Sequence, residues 1–243
     1  MLRPAQAELR ERLCALAHER VRWGYRRLHL LLKREGVTAN RKRIYRLYRD
    51  EGLAVRRRKR KRVAVVRKEM PAPERLNDCW AMDFMSDALS SGRKYRVLNV
   101  VDTLSREALV SEVDTSLPAI RVIRALEEIA LERGYPARIT CDNGPEFRSV
   151  ALDAWAYEHR VTLAFIEPGK PVQNAVCESF NGRMRDECLN SHWWRTIDEA
   201  RQGIEEYRRD YNEARPHSAL KNLTPAEFAA ARGGAVNLQR LVS

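Results

Sequence analysis

Charge is divided so unevenly along this chain that a single uniform body is excluded. Residues 1–68 hold 23 Lys and Arg against 6 Asp and Glu, a net of +17, while the whole chain carries +12, which leaves −5 for residues 69–243. The division falls at a basic run, Arg56, Arg57, Arg58, Lys59, Arg60, Lys61 and Arg62, followed by the linker-like Met70-Pro71-Ala72-Pro73. The expected organisation is a basic segment with its linker over 1–70, a second domain that ends in C-terminal helices over 71–232 and a tail over 233–243. A segment at +17 needs a polyanion, and double-stranded DNA is the expected one. Within 243 residues, 44% hydrophobic content is enough for real cores, so disorder throughout is excluded. Uncharged stretches are too short to cross a bilayer and the N-terminus is not a signal peptide, so a cytoplasmic, nucleoid-associated protein with no membrane partner is expected. Cysteines 14, 79, 141, 177 and 188 form no Cys-x-x-Cys pair and read as reduced thiols.

The basic segment has helical order. Leu9, Leu13, Leu16 and Ala17 recur at helical spacing between Pro4 and Arg20, and a second helix is expected from Tyr25 to Glu35 with Leu28, Leu31 and Leu32 inward. Gly36 stops it. Asn40 then caps a third helix that runs to Glu51 and ends at Gly52, which makes a helix-turn-helix. Ile44, Leu47 and Tyr48 form the inward stripe of that third helix. Arg41, Lys42, Tyr45, Arg46 and Arg49 share the opposite face, which suits a DNA groove.

From residue 76 onward strand-like and helix-like segments alternate. Strands are expected at Asp78–Met85, Lys94–Leu104 and Ala108–Val113, a helix at Pro118–Arg133, a strand at Arg138–Cys141, a helix at Ser149–His159, a strand at Val161–Phe165 and a helix at Asn174–Leu189. The order βββαβαβα is that of an α/β fold, ribonuclease-H-like, with a mixed five-stranded sheet and flanking helices. A small all-α segment precedes it. Thr224-Pro225-Ala226-Glu227 reads as a capping box, and Trp193-Trp194 as either packing or a contact surface. Histidines 18, 29, 159, 192 and 217 are scattered, with no zinc spacing.

Three acids stand out. Asp83 lies mid-strand among apolar neighbours, Asp142 follows a strand, and Glu178 lies one turn into a helix. Singly, each has an ordinary reading: a solvated strand end, an Asx-turn, a helix N-terminal charge. Thirty-five residues separate Asp142 from Glu178, and the words around all three go together.

Those words are Trp80-Ala81-Met82-Asp83-Phe84, Val100-Val101-Asp102 with Ser105-Arg106-Glu107, Asp142-Asn143-Gly144-Pro145-Glu146-Phe147, and Gln173-Asn174 through Glu178-Ser179-Phe180-Asn181-Gly182. Arg185-Asp186-Glu187-Cys188-Leu189-Asn190, Tyr211-Asn212, Arg215-Pro216-His217 and Thr224-Pro225-Ala226-Glu227 follow. From about Arg22 to Glu227 the chain resembles the bacterial insertion-sequence transposases of the IS-three group, specifically their second-reading-frame product with a retroviral-integrase-like DDE core. It departs from the family pattern at Cys141, Ala175 and Cys177, all small uncharged changes. Relatives usually continue upstream of this N-terminus.

The resemblance implies that Asp83, Asp142 and Glu178 are catalytic and hold two Mg²⁺ ions, with Mn²⁺ substituting, for DNA cleavage and strand transfer. Hard oxygen ligands suit such a pair. It further implies that Arg185 contacts DNA near the cut, with Asn143 and Asn181 as phosphate-positioning candidates. Asp87, Asp102 and Glu146 are set aside as turn or strand-end acids. The expected partners are the element's ends, target DNA, further copies of the chain, and an upstream reading-frame product that supplies end recognition. Two alternatives are a nuclease that only hydrolyses and a DNA-binding regulator with a decayed core.

Overall fold

The computed structural model describes residues 4–55, 72–166 and 174–240. The basic run at 56–62 therefore lies outside the described residues. The chain divides into two compact units, one within Met1–Val65 and one within Val66–Ser243.

The first unit holds three helices: α1 (Pro4–Glu19), α2 (Tyr25–Arg34) and α3 (Arg41–Asp50). Its core joins Leu9, Leu13 and Leu16 of α1 to Leu28 and Leu32 of α2 and to Ile44, Leu47 and Tyr48 of α3, with Trp23 beneath. These are the positions that helical periodicity selects, because only that face can leave water. Helices α2 and α3 end alike. Gly36 and Gly52 take φ of +86° and +66°, and the residue after each returns its N–H to a carbonyl five back, Val37 to Leu32 and Leu53 to Tyr48. That is the Schellman geometry, which the absence of a Cβ makes cheap. The side-chain oxygen of Asn40 accepts the N–H of Lys42 at 2.9 Å, capping α3 as expected. Two ion pairs lace the helices, Arg12 with Glu35 and Arg10 with Glu51.

In the second unit, strands β1 (Cys79–Ala88), β2 (Lys94–Asp102), β3 (Ala108–Asp114), β4 (Arg138–Cys141) and β5 (Thr162–Phe165) form one sheet ordered β3-β2-β1-β4-β5. The first three are antiparallel, while β4 and β5 run parallel to β1. Strand β1 runs past the expected end at Met85 because it forms a hairpin with β2 out to Ala88 opposite Lys94, closed by Gly92 at φ +82°.

Alternation divides the sheet between two cores. Trp80, Met82, Leu98 and Val100 face one core, built with α4 (Ala119–Arg133) and α5 (Val150–Glu158). Ala81, Met85, Val97 and Val101 face the other, built with α6 (Ala175–Glu187) and α7 (Ile197–Glu213). Position 83 shares the parity of 81 and 85, so the Asp83 side chain stands on the α6 face.

Helix α7, seventeen residues dominated by charges, is one of the C-terminal helices expected before Arg215-Pro216, though nothing in the sequence marks its start; its arginines and asparagine cover the edge strand β3. Asn212 bonds both the N–H and the carbonyl of Ala108 at 2.9 Å, Arg208 reaches the Ala108 carbonyl and Arg201 that of Val113. The edge is thereby closed to other strands. Beyond it, Thr224 and Glu227 form the expected reciprocal cap of α8 (Pro225–Arg240). Among the described residues, no helix is long and apolar enough to cross a membrane.

Candidate active site

The parallel pairing of β1 with β4 aligns Ala81 with Thr140. Carried two residues further, that register brings position 142 alongside position 83. Asp142, just past the end of β4, and Asp83 thus lie on neighbouring strands. Helix α6 crosses the same face of the sheet and contributes Glu178 from its first turn. Its N-terminus is tied down where Asn174 donates to the Met82 carbonyl at 3.0 Å, one residue before Asp83.

Asp83 is half-buried. Its Oδ1 accepts from the backbone N–H of Phe84 and its Oδ2 from Asn181 Nδ2, each at 2.8 Å. Burial, aided by the charges of Asp142 and Glu178, pushes its carboxyl up to about 6 against the pull of those two hydrogen bonds. Glu178 reaches solvent but is partly desolvated, which moves its carboxyl upward too.

Asp142 Oδ1 accepts the Gly144 N–H at 2.9 Å, and a Cβ at Gly144 would stand 2.9 Å from that same oxygen. A side chain there would displace the aspartate. The rest of the loop is clamped. Asn143 donates to the Ile166 carbonyl at 2.7 Å and accepts from Arg148, Glu146 pairs with Arg96 of β2, and Phe147 stacks on Phe84 at 4.8 Å. The Arg96 guanidinium lies 4.0 Å over the other face of Phe84. Arg96 escaped the sequence reading because a lone strand arginine gives no signal until the register brings it across from the loop.

The sheet face therefore gathers Asp83, Asp142 and Glu178 with Asn181, all within electrostatic reach of Asp83. Among the described residues, no three His, Cys, Asp or Glu side chains stand close enough together to hold one metal ion as they are. The donor chemistry still suits a hard divalent cation. The groups are hard oxygens, and Asp83 is raised first by burial and then by the charges of the other two. Among the described residues each Asp83 oxygen has one protein donor, and the buried Asn174 Oδ1 has none. Both asparagines considered for phosphate have their amides engaged, Asn143 on the loop and Asn181 on Asp83. Arg185 is exposed on α6 and donates to the Ser86 carbonyl at 2.8 Å. Asp102 is fully buried and accepts four hydrogen bonds, from the N–H groups of Asn77, Leu104 and Ser105 and from the Ser105 hydroxyl, which makes it an anchor of the β2–β3 turn.

In the first unit, Arg41, Lys42, Tyr45, Arg46 and Arg49 are all exposed on one side of α3, with Arg43 beside them. Tyr45 packs against Tyr25 at 4.8 Å, and Arg49 lies over its ring. Trp193 and Trp194 part company: the second is buried and the first is 87% exposed.

Residues 73–171 match the Integrase core domain family, a second family of the same description matches 159–225, and residues 5–61 match the HTH-like domain family. The chain is 56% identical over 223 residues to the insertion element IS407 uncharacterized 31.7 kDa protein of Burkholderia multivorans, covering 91% of this chain and 80% of that one. It belongs to the insertion-element transposases of the IS-three group. A second relative of this transposase, the insertion element IS476 uncharacterized 39.2 kDa protein of Xanthomonas euvesicatoria, is 47% identical over 93% of this chain and 66% of its own length. In fold, the transposase is similar to the HTLV-2 integrase catalytic core domain, solved in complex with magnesium. The TM-score is 0.53 at 18% identity, over 64% of this chain and 98% of that one. It is also similar to a chain of the simian T-cell lymphotropic virus intasome, with TM-score 0.58 at 16% identity, over 88% of this chain and 73% of that one.

Proposed function

We propose that this transposase is a metal-dependent DDE recombinase that cuts DNA strands and joins the freed 3′ hydroxyl to another phosphodiester, with Asp83, Asp142 and Glu178 as its catalytic carboxylates. The observation that carries the reading is electrostatic. A half-buried aspartate is raised to about 6 by burial and by two further carboxylates drawn from a neighbouring strand end and a helix. Such a group is costly in the protein by itself and is relieved by cations.

The three carboxylates would hold two Mg²⁺ or Mn²⁺ ions, which when bound supply Lewis-acid activation of the attacking oxygen and charge stabilisation of the leaving one. Asp83 is held by Asn181 and the Phe84 N–H, one donor on each oxygen, which leaves each oxygen further acceptor capacity for a cation. Gly144 fixes Asp142 and the Arg96–Glu146 pair fixes its loop. Arg185, seven residues beyond Glu178 and hence on the same helical face, offers a guanidinium to a phosphate next to the cut. Water is the first nucleophile. Its oxygen bonds to phosphorus, the 3′ oxygen departs opposite, and in the second step that 3′ oxygen attacks a target phosphodiester whose own 3′ oxygen leaves. No bond to the protein forms.

The basic face of α3 (Arg41, Lys42, Tyr45, Arg46 and Arg49) and the run 56–62 would hold duplex DNA, in a division of labour over 1–70, 71–232 and 233–243. Further copies of the chain and an upstream reading-frame product would complete the assembly. Asp83→Asn, Asp142→Asn and Glu178→Gln each remove a negative ligand at nearly constant volume. Cleavage and joining are expected to collapse in all three while DNA binding persists, and near-wild-type joining by any one variant would remove that residue from the site.

A further inference from the structure

A polar line crosses the core beside Asp83. In the sheet register Asp83 faces Asn99 of β2, and Asn99 faces Ser111 of β3, so the three side chains stand abreast on the α6 face. Asn99 is fully buried between Val97 and Val101 of the same apolar face, where an amide without partners is costly. Its partners are all present. The Ser111 hydroxyl donates to Asn99 Oδ1 at 2.7 Å, Asn99 Nδ2 donates to Asn181 Oδ1 at 2.8 Å, and Asn181 Nδ2 donates to Asp83 Oδ2 at 2.8 Å.

Every donor in this line points towards Asp83, and two features fix that direction. An ionised carboxylate only accepts, so Asn181 must turn its NH₂ to Asp83 and its oxygen to Asn99. The Met184 sulfur, 3.7 Å from Asn99 Nδ2, accepts but does not donate, which keeps the Asn99 NH₂ on the α6 side and its oxygen towards Ser111. Reversing either amide would set two oxygens against each other.

We propose that Asn99 and Ser111 are positioning residues of the reaction centre: through Asn181 they hold the Asp83 carboxylate in the orientation that receives the divalent cations. Both act on Asp83 through Asn181. The inference rests on the metal-dependent reading above. Hydrogen-bond partners behind a ligating carboxylate commonly change metal affinity by about 10- to 100-fold.

The test compares full-length wild type with Asn99→Leu, Ser111→Ala and Ser111→Thr, by calorimetric titration with Mn²⁺, by the Mn²⁺ concentration needed for half-maximal joining, by DNA binding and by thermal unfolding. Asn99→Leu keeps the volume but strands Asn181 Oδ1, and its Mn²⁺ affinity is expected to fall by about 10- to 100-fold. Ser111→Ala, at a partly exposed position that tolerates truncation, is expected to shift in the same direction by less, and Ser111→Thr, which restores the hydroxyl, to return to wild type. DNA affinity stays constant throughout, and excess Mn²⁺ recovers joining in Ser111→Ala. Wild-type Mn²⁺ affinity in both Asn99→Leu and Ser111→Ala, with only a lower melting temperature, would overturn the proposal and leave the catalytic reading intact. Failure of the wild-type protein to bind Mn²⁺, or to join ends when the proposed upstream product is supplied, would overturn both.

Discussion

Asp83 is the residue at which folding and chemistry oppose each other. Its carboxyl titrates at about 6 in the folded chain against an ordinary 3.8, so between those values the native state binds more protons than the unfolded state. The sign follows: this group makes the metal-free protein more stable as pH falls from about 7 towards 4 and less stable as it rises through 6. Asp83→Asn removes the buried charge, so its melting temperature near neutral pH is expected to exceed that of wild type, with the gap closing at about pH 4. Calorimetry at both ends of that range checks it; a neutral-pH melting temperature below wild type would contradict it. The cysteines make a second case. Burial raises the thiols of Cys141 and Cys188 to about 12 and that of Cys177 well above its ordinary value, while Cys79 is buried against Thr140. Only Cys14 is partly exposed. A thiol reagent at about pH 8 is therefore expected to modify Cys14 first and the other four only on unfolding, as mass spectrometry would read.

At the scale of elements, what the sequence made legible was whatever repeats with a helix or strand period. The α1, α2 and α3 stripes, the caps at Asn40 and Thr224 and all five strands follow from local rules, because each needs only its own few residues. For helix α7 only a C-terminal helix ending before Arg215-Pro216 was legible, since its charges hide the sparse inward positions Ala200, Ile204 and Tyr211, and its arginines acquire a purpose only against the edge of β3. The Arg96–Glu146 clamp and the Asn99–Ser111 line were illegible for a related reason: both depend on strand register, a long-range property. Asp83, Asp142 and Glu178 stood out through the words around them more than through any local rule. Two measurements address element ends. Asn40→Ala removes the α3 cap and is expected to cost about 1 kcal/mol in the first unit. Glu187, buried against the 1%-exposed Arg215, holds α6 to the segment after α7; Glu187→Leu alone is expected to cost about 3–5 kcal/mol, and replacing both partners by apolar residues much less. Chemical denaturation reads both.

The whole molecule is an insertion-element transposase of two units that differ in charge as well as in fold. The first has its own apolar core, and residues 1–68 carry a net +17, so that fragment alone is expected to bind duplex DNA with an affinity that falls steeply as salt rises. Residues 75–243 are expected to bind far more weakly; salt-insensitive binding of equal strength by that fragment would contradict the assignment. One helix-turn-helix and a basic run are expected to hold phosphates more than they read bases, so end-specific footprints are expected only when the proposed upstream reading-frame product is added. The central claim, strand transfer by Asp83, Asp142 and Glu178, is tested most directly by incubating the purified chain and that upstream product with Mg²⁺, a labelled duplex carrying the element's end and an unlabelled target. The account predicts labelled products longer than the substrate, dependent on Mg²⁺ and absent from Asp83→Asn, Asp142→Asn and Glu178→Gln. Shortened products alone, or joined products that persist in those variants, would contradict it.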